Sequence, residues 1–205
     1  MGKTAQKRLI RKIDLERFLS QIEPHPSPQA RLEQYTVSEA IAATVLYVAA
    51  YTNDDIIGKT VLDLGCGSGR LALAASYLGA QCVVGVDIDK MAINTASENL
   101  EKAGLKTNVS WVVGDINAIT GRFDTVLQNP PFGVQRRTAD RKFLEKALEV
   151  GTLVYSLHNH PHRDKQLIKR LKANPGSLIQ VAPSPFIEKF VESHHGVVKA
   201  VYAML

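Results

Sequence analysis

The sequence predicts an α/β chain built on a doubly wound, mostly parallel sheet with helices on both faces. Two observations carry that expectation. Short apolar runs alternate with segments of helical period from Thr60 onward. Acidic, amide and glycine residues also gather at the carboxyl ends of those runs, where open α/β sheets bind ligands.

Taken in order, Leu9, Ile10, Ile13, Phe18, Leu19 and Ile22 recur at helical spacing, so residues 7–22 are predicted to form an amphipathic helix. Residues 1–23 are read as that N-terminal helix and residues 24–205 as one domain. Pro24-His25-Pro26-Ser27-Pro28 cannot be helical inside and reads as an extended linker. Ser38 is the expected N-cap of the Ala-rich run that ends at Ala50. Thr60–Leu64, Cys82–Asp87, Val109–Val113 and Phe123–Gln128 read as buried strands. Arg70–Leu78 and Lys90–Ala103 read as helices, the second stopped by Gly104. A helix over Ala139–Val150, a strand over Thr152–Leu157 and a helix over Asp164–Lys172 follow. Leu178–Val181 and Val197–Met204 supply the last two of seven strands.

Composition narrows the class. With 205 residues and 45% hydrophobic content, the chain is long enough to bury a substantial core. No run reaches the ~18 apolar residues of a membrane span. Met1 to Lys12 is polar and basic and lacks the apolar block of a secretory signal. Cys66 lies in a glycine-rich loop and Cys82 in a strand, which argues against a disulfide and for a reducing, cytoplasmic setting. The net charge of +5 is uneven: residues 1–23 carry +3, residues 24–135 carry −4 and residues 136–172 carry +6. A basic surface beside a reactive loop suits a polyanion, because neutralised phosphates release counterions.

Asn129-Pro130-Pro131-Phe132 is the reactive loop in question. Two prolines end the preceding strand and bias Asn129 toward an extended backbone. The Asn129 side-chain oxygen and the Pro130 carbonyl can accept the two hydrogens of a planar amine, and Phe132 can stack on the attached ring. Upstream, Gly65, Gly67 and Gly69 form a tight turn after Asp63. Their spacing departs from the dinucleotide fingerprint. Asp87 falls 22 residues after Gly65, at a strand end where an acid accepts ribose hydroxyls. Asp115 is placed to meet an adenine amino group, and Asp63 to help hold an ammonium. Ser68 in the turn and Ile116 after Asp115 complete the expected cofactor set. One adenosine with a cationic amino-acid tail fits these acids better than a dinucleotide does, and S-adenosylmethionine is such a ligand. His158, His160 and His162 alternate, but a fourth metal ligand is not evident and no metal is expected.

These residues resemble the class I methyltransferases, whose fold is Rossmann-like with a seven-stranded, mostly parallel sheet. More narrowly, the stretch from about Leu32 to His158 is similar to the methyltransferase-like-five family and its archaeal relatives. That family forms N6-methyladenosine in small-subunit ribosomal RNA. The resemblance rests on Leu32-Glu33-Gln34-Tyr35, the Asp63–Gly69 turn, Gly85-Val86-Asp87-Ile88-Asp89, Asn129-Pro130-Pro131-Phe132-Gly133, Ala139-Asp140-Arg141 and Val154-Tyr155-Ser156-Leu157-His158. It implies that Gln34 and a nearby Thr close over the cofactor. The family has Tyr-Pro-Thr where this chain has Tyr35-Thr36-Val37, so Thr36 stands one position early. Arg136, Arg137, Arg141 and His158 are the expected substrate contacts. The resemblance also implies a small zinc-binding activator that covers apolar surface near the cofactor. Three other readings use the same residues: methylation of a protein glutamine amide, methylation of adenine in DNA, and a non-catalytic RNA-binding scaffold.

Overall fold

The computed structural model describes residues 9–29, 36–105, 108–131, 139–158, 164–174 and 176–205. Its centre is a parallel sheet of five strands in the order β3-β2-β1-β4-β5. These are β1 (Thr60–Leu64), β2 (Cys82–Asp87), β3 (Val109–Val113), β4 (Phe123–Gln128) and β5 (Gly151–Ser156). The register aligns Leu64 with Val86 on one side and with Gln128 on the other. The order reverses between β1 and β4, which opens a crevice at the carboxyl ends of those strands.

Successive strand residues face opposite layers. Val61, Val83, Val109 and Leu127 point into one cluster with α1 (Lys12–Leu19), α2 (Glu39–Tyr47) and α3 (Arg70–Leu78). Leu62, Leu64, Val86 and Val126 point into the other, with Ala147 and Val150 of α5 (Ala139–Val150). Burial on both faces explains why β1, β2 and β4 read as apolar runs. Each wholly buried leucine, such as Leu15, Leu19, Leu46 or Leu73, contributes about 2 kcal/mol of apolar burial. Leu15, Phe18, Leu19 and Ile22 are sunk in the first cluster, and the Phe18 ring stacks on Tyr77 at 4.2 Å.

Local signals set the helix ends. Ser38 accepts from the Ile41 N–H to start α2, which runs into a π-helical turn over Val48–Thr52. Asp89 caps α4 (Lys90–Lys102) by accepting from the Met91 N–H. Gly104 follows with φ +58°, a left-handed stop. Asp164 caps α6 (Lys165–Ala173).

All seven expected strands are present, divided five and two. β6 (Ile179–Val181) and β7 (Val201–Ala203) pair antiparallel with each other and form a separate two-stranded sheet. Each is three residues long, shorter than its apolar run, and β6 finds its hydrogen-bonding partner in β7 rather than in β5. Between them lies α7 (Pro185–Ser193), a helix absent from the sequence reading. Ser184 caps it and Pro185 sits in its first turn.

Candidate active site

Three strand ends build the site. β1 delivers the glycine turn, β2 delivers Asp87, and β4 delivers Asn129. Neighbouring strands stand about 4.8 Å apart, so Asp87 and Asn129 flank the turn at a separation of about 10 Å.

Each glycine of the turn has its own reason. Gly65, Gly67 and Gly69 all hold positive φ, at +69°, +54° and +85°. A Cβ on Gly65 would stand 2.7 Å from the Phe143 ring of α5, and one on Gly69 would stand 2.6 Å from Trp111. A Cβ on Gly67 would meet nothing within 4 Å, so the space beside it is open for a ligand. Cys66 packs into the turn, and burial pushes its thiol well above the ordinary range. Ser68 is buried, and its carbonyl accepts from Asn99 Nδ2 at 3.0 Å.

Two acids lie buried around this turn without a Lys or Arg ion-pair partner among the described residues. Asp63 is 1% exposed and accepts from the Ala72 N–H at 2.9 Å. Burial pushes its carboxyl up to about 7, and the Asp87 charge adds to the shift. Asp87 is also raised by burial, against the N–H groups of Asp89 and Gly67 that it accepts at 2.9 Å each. Two buried, under-compensated carboxylates beside an open left-handed glycine fit a ligand that brings positive charge and hydroxyl donors. S-adenosylmethionine, with its sulfonium, ammonium and ribose, meets both requirements. Asp115 accepts from the Asn117 N–H at 2.9 Å and starts a short 3-10 turn that buries Ile116.

The N-terminal segment is tied to the turn by contacts that the sequence reading missed. Asn99 of α4 bonds both the N–H and the carbonyl of Glu23, each at 3.0 Å. The Arg70 guanidinium donates to the carbonyls of Val37 and Ile22 and pairs with Glu39 at 3.0 Å. His25 Nδ1 accepts from the Ser27 N–H, which leaves Nε2 to donate to Asp89 at 3.1 Å. The Pro-rich stretch, expected as an extended linker, is therefore a strap docked against the start of α4. Asp89 links that strap to Asp87 through its own N–H. The N-cap position of Asp89 was legible; its partner 64 residues upstream was not. Thr36 is exposed and lines a cleft of about 430 Å³ with Ile22, Glu23, Pro24 and Arg70; neither Asp63 nor Asp87 lines it.

On the other side, Asn129 is half-buried, Pro130 buried and Pro131 half-buried. Gln128, fully buried, donates to Ser156 Oγ at 2.8 Å, and Ser156 Oγ meets His158 Nε2 at 2.7 Å. His158 thus stands at the carboxyl end of β5, next to the end of β4. Its surroundings desolvate the ring and hold it below the ordinary histidine range against the pull of the Asp140 carboxylate. Arg141 is exposed, and its guanidinium sits over the Phe186 ring of α7, 4.6 Å from the centroid. Gln34, Phe132, Arg136, Arg137, His160 and His162 lie outside the described residues. Among the described residues there is no cluster able to hold a metal ion, and no helix is long and apolar enough to cross a membrane.

A Rossmann-like sheet, a glycine turn between buried acids and Asn-Pro-Pro at the end of β4 together define a class I methyltransferase. Comparison with known proteins agrees. The family model "Ribosomal protein L11 methyltransferase (PrmA)" matches residues 42–130, the part that carries the glycine turn and the start of the loop. The chain is 39% identical to MJ0284 of Methanocaldococcus jannaschii, over 84% of its own length and 82% of that protein. It is 41% identical to the rRNA N(6)-adenosine-methyltransferase METTL5 of Danio rerio, over 74% of its own length and 75% of that protein. The crystal structure of PH1948 from Pyrococcus horikoshii superposes with a TM-score of 0.75 at 38% identity, covering 94% of this chain and 83% of that one. A more distant structure, the 16S rRNA N2 G1207 methyltransferase RsmC of T. thermophilus, contains AdoMet; it matches with a TM-score of 0.52 at 25% identity, over 73% of this chain and 41% of that one. The chain belongs to the METTL5 family of rRNA N6-adenosine methyltransferases, which are S-adenosylmethionine-dependent.

Proposed function

We propose that this chain transfers a methyl group from S-adenosylmethionine to N6 of an adenine in small-subunit ribosomal RNA. The observation that carries the reading is Asn129-Pro130 at the end of β4, level with the glycine turn and across it from Asp87. The cofactor supplies an electrophilic methyl group when bound. Asp87 accepts from its ribose, Asp115 and Ile116 meet its adenine, and Asp63 favours its positive charge. Gly65, Gly67, Ser68 and Gly69 cradle it, and Gln34 and Thr36 close over it. Asn129 and the Pro130 carbonyl accept both hydrogens of the target amine, which favours a pyramidal nitrogen with its lone pair aimed at the methyl group. They also stabilise the positive charge that develops on nitrogen as the bond forms. The surplus proton leaves to water. Pro131 stiffens the loop, Phe132 stacks on the unstacked adenine, and Arg136, Arg137, Arg141 and His158 hold the flanking RNA.

The same reading includes a small zinc-binding activator. Its support is the outer edge of the sheet: β3 is an edge strand, and Val112 and Val113 on it are exposed, as are Ile88 and Met91 beside Asp87. A partner strand there would cover apolar surface next to the cofactor. The unpaired thiols of Cys66 and Cys82 suit a cytoplasmic setting.

Asn129→Ala tests the amine grip. Cofactor affinity by calorimetry should stay at the wild-type value, while methyl transfer to ribosomal RNA falls by roughly 10²–10³. An active variant would remove Asn129 from the mechanism.

A further inference from the structure

We propose that Arg141, seated on Phe186, is a stacking platform for a nucleobase that flanks the target adenine. The proposal rests on the RNA reading above and adds a subsite to it. α5 and α7 run side by side in the same direction. Arg141 lies over Phe186 at one end, and at the other a Cβ on Gly196, just past α7, would meet Leu148 at 3.1 Å. Both helices therefore start at the carboxyl end of the sheet. The first turns of α5 reach the site: Phe143 closes on Gly65, and Asp140 is near enough for its charge to act on the His158 ring. Arg141 lies between those two residues in sequence.

Phe186 is 44% exposed, which is unusual for a phenylalanine with a helix to pack on. Its ring continues into a run of aromatic contacts along α7, to Phe190 at 5.8 Å and from there to His194 at 4.4 Å. Arg141 has no carboxylate within ion-pair distance among the described residues; the nearby Asp140 spends one oxygen on the Arg141 backbone N–H. A guanidinium held by an aromatic ring on one face keeps its other face and its in-plane donors available. That is the geometry by which arginine stacks on a base and reaches a phosphate together. Residues 136–172, the stretch of sequence that contains Arg141, carry a net +6, the sign that a polyanion requires. A lysine could supply the charge but not the plane.

The test compares Arg141→Lys, Arg141→Ala, Phe186→Ala and Phe186→Leu in the full chain. Two quantities are read: binding of a short, fluorescently labelled, single-stranded adenine-rich RNA, and KM for ribosomal RNA in methyl transfer. Arg141→Lys and Phe186→Ala should each weaken RNA binding and raise KM about tenfold, with cofactor affinity unchanged. Phe186→Leu, which preserves apolar packing and the unfolding temperature, should show the same loss. If Arg141→Lys behaves as wild type while Arg141→Ala is impaired, the contact is a point charge and the platform is overturned. Variants that all bind as wild type overturn it too. Wild-type protein that binds RNA with this dependence yet transfers no methyl to it would keep the platform and remove the adenine reading.

Discussion

Asp63→Asn changes the electrostatics of the site while preserving its shape. Asp63 is buried at the end of β1 with one backbone N–H on its carboxylate and no cation beside it among the described residues. Its carboxyl, ordinarily at 3.8, is held up to about 7 in the folded protein. The folded state therefore binds a proton that the unfolded state has released. The stability from that proton is fully present below about pH 4 and is lost as pH rises to about 7. A shift of this size corresponds to about 4 kcal/mol. The substituted asparagine would keep the oxygen that accepts from Ala72 but carry no charge. Its unpartnered amide nitrogen costs about 1–2 kcal/mol. At pH 8, without cofactor, the variant should be more stable than wild type by roughly 2–3 kcal/mol, or about 4–12 °C in unfolding temperature for a chain of this length. At pH 4, where Asp63 is already neutral, the gain should vanish or reverse. Scanning calorimetry at both pH values reads the difference. A variant less stable at pH 8, or an effect independent of pH, would refute the claim that the site stores an uncompensated charge. The cofactor should reverse the ranking, because its positive charge offsets the carboxylate in wild type alone.

Asp87→Ala should abolish measurable cofactor binding by calorimetry, since it removes the ribose acceptor and the partner of the Gly67 N–H. Unchanged affinity would mean that the pocket lies elsewhere. Gly85→Ala should destabilise the protein by about 1–3 kcal/mol in denaturant titration, because the new methyl would stand 2.4 Å from the Trp111 ring. A neutral result would show that Trp111 can move off the strand.

Much of the fold was legible because local rules agreed with tertiary ones. β1 to β4 coincide with their predicted spans, since each is an apolar run bounded by glycine, acid or amide; β1, β2 and β4 are largely buried, whereas the edge strand β3 exposes Val112 and Val113. α7 was missed although Ser184-Pro185 is an N-cap followed by a first-turn proline; no element was assigned between the last two expected strands. The pairing of β6 with β7 was hidden for a different reason: three-residue strands carry no register signal, and only their packing decides the partner. Within the site, the strand-end acids and the Asn-Pro-Pro loop could be read from position. The Arg70 clamp, the Asn99 bridge to Glu23 and the His25–Asp89 contact could not, because each joins segments at least 31 residues apart. The exposed seat of Arg141 on Phe186 likewise depends on two helices meeting from distant parts of the chain.

The most direct measurement is transfer of labelled methyl from S-adenosylmethionine to ribosomal RNA, run beside total DNA and a release-factor protein, with the RNA digested to nucleosides. The account predicts label in N6-methyladenosine from the small subunit. Label in the protein would assign the Asn129 grip to a glutamine amide, and an RNA left unlabelled by protein that binds the cofactor, with or without an added zinc-binding activator, would contradict the proposed function.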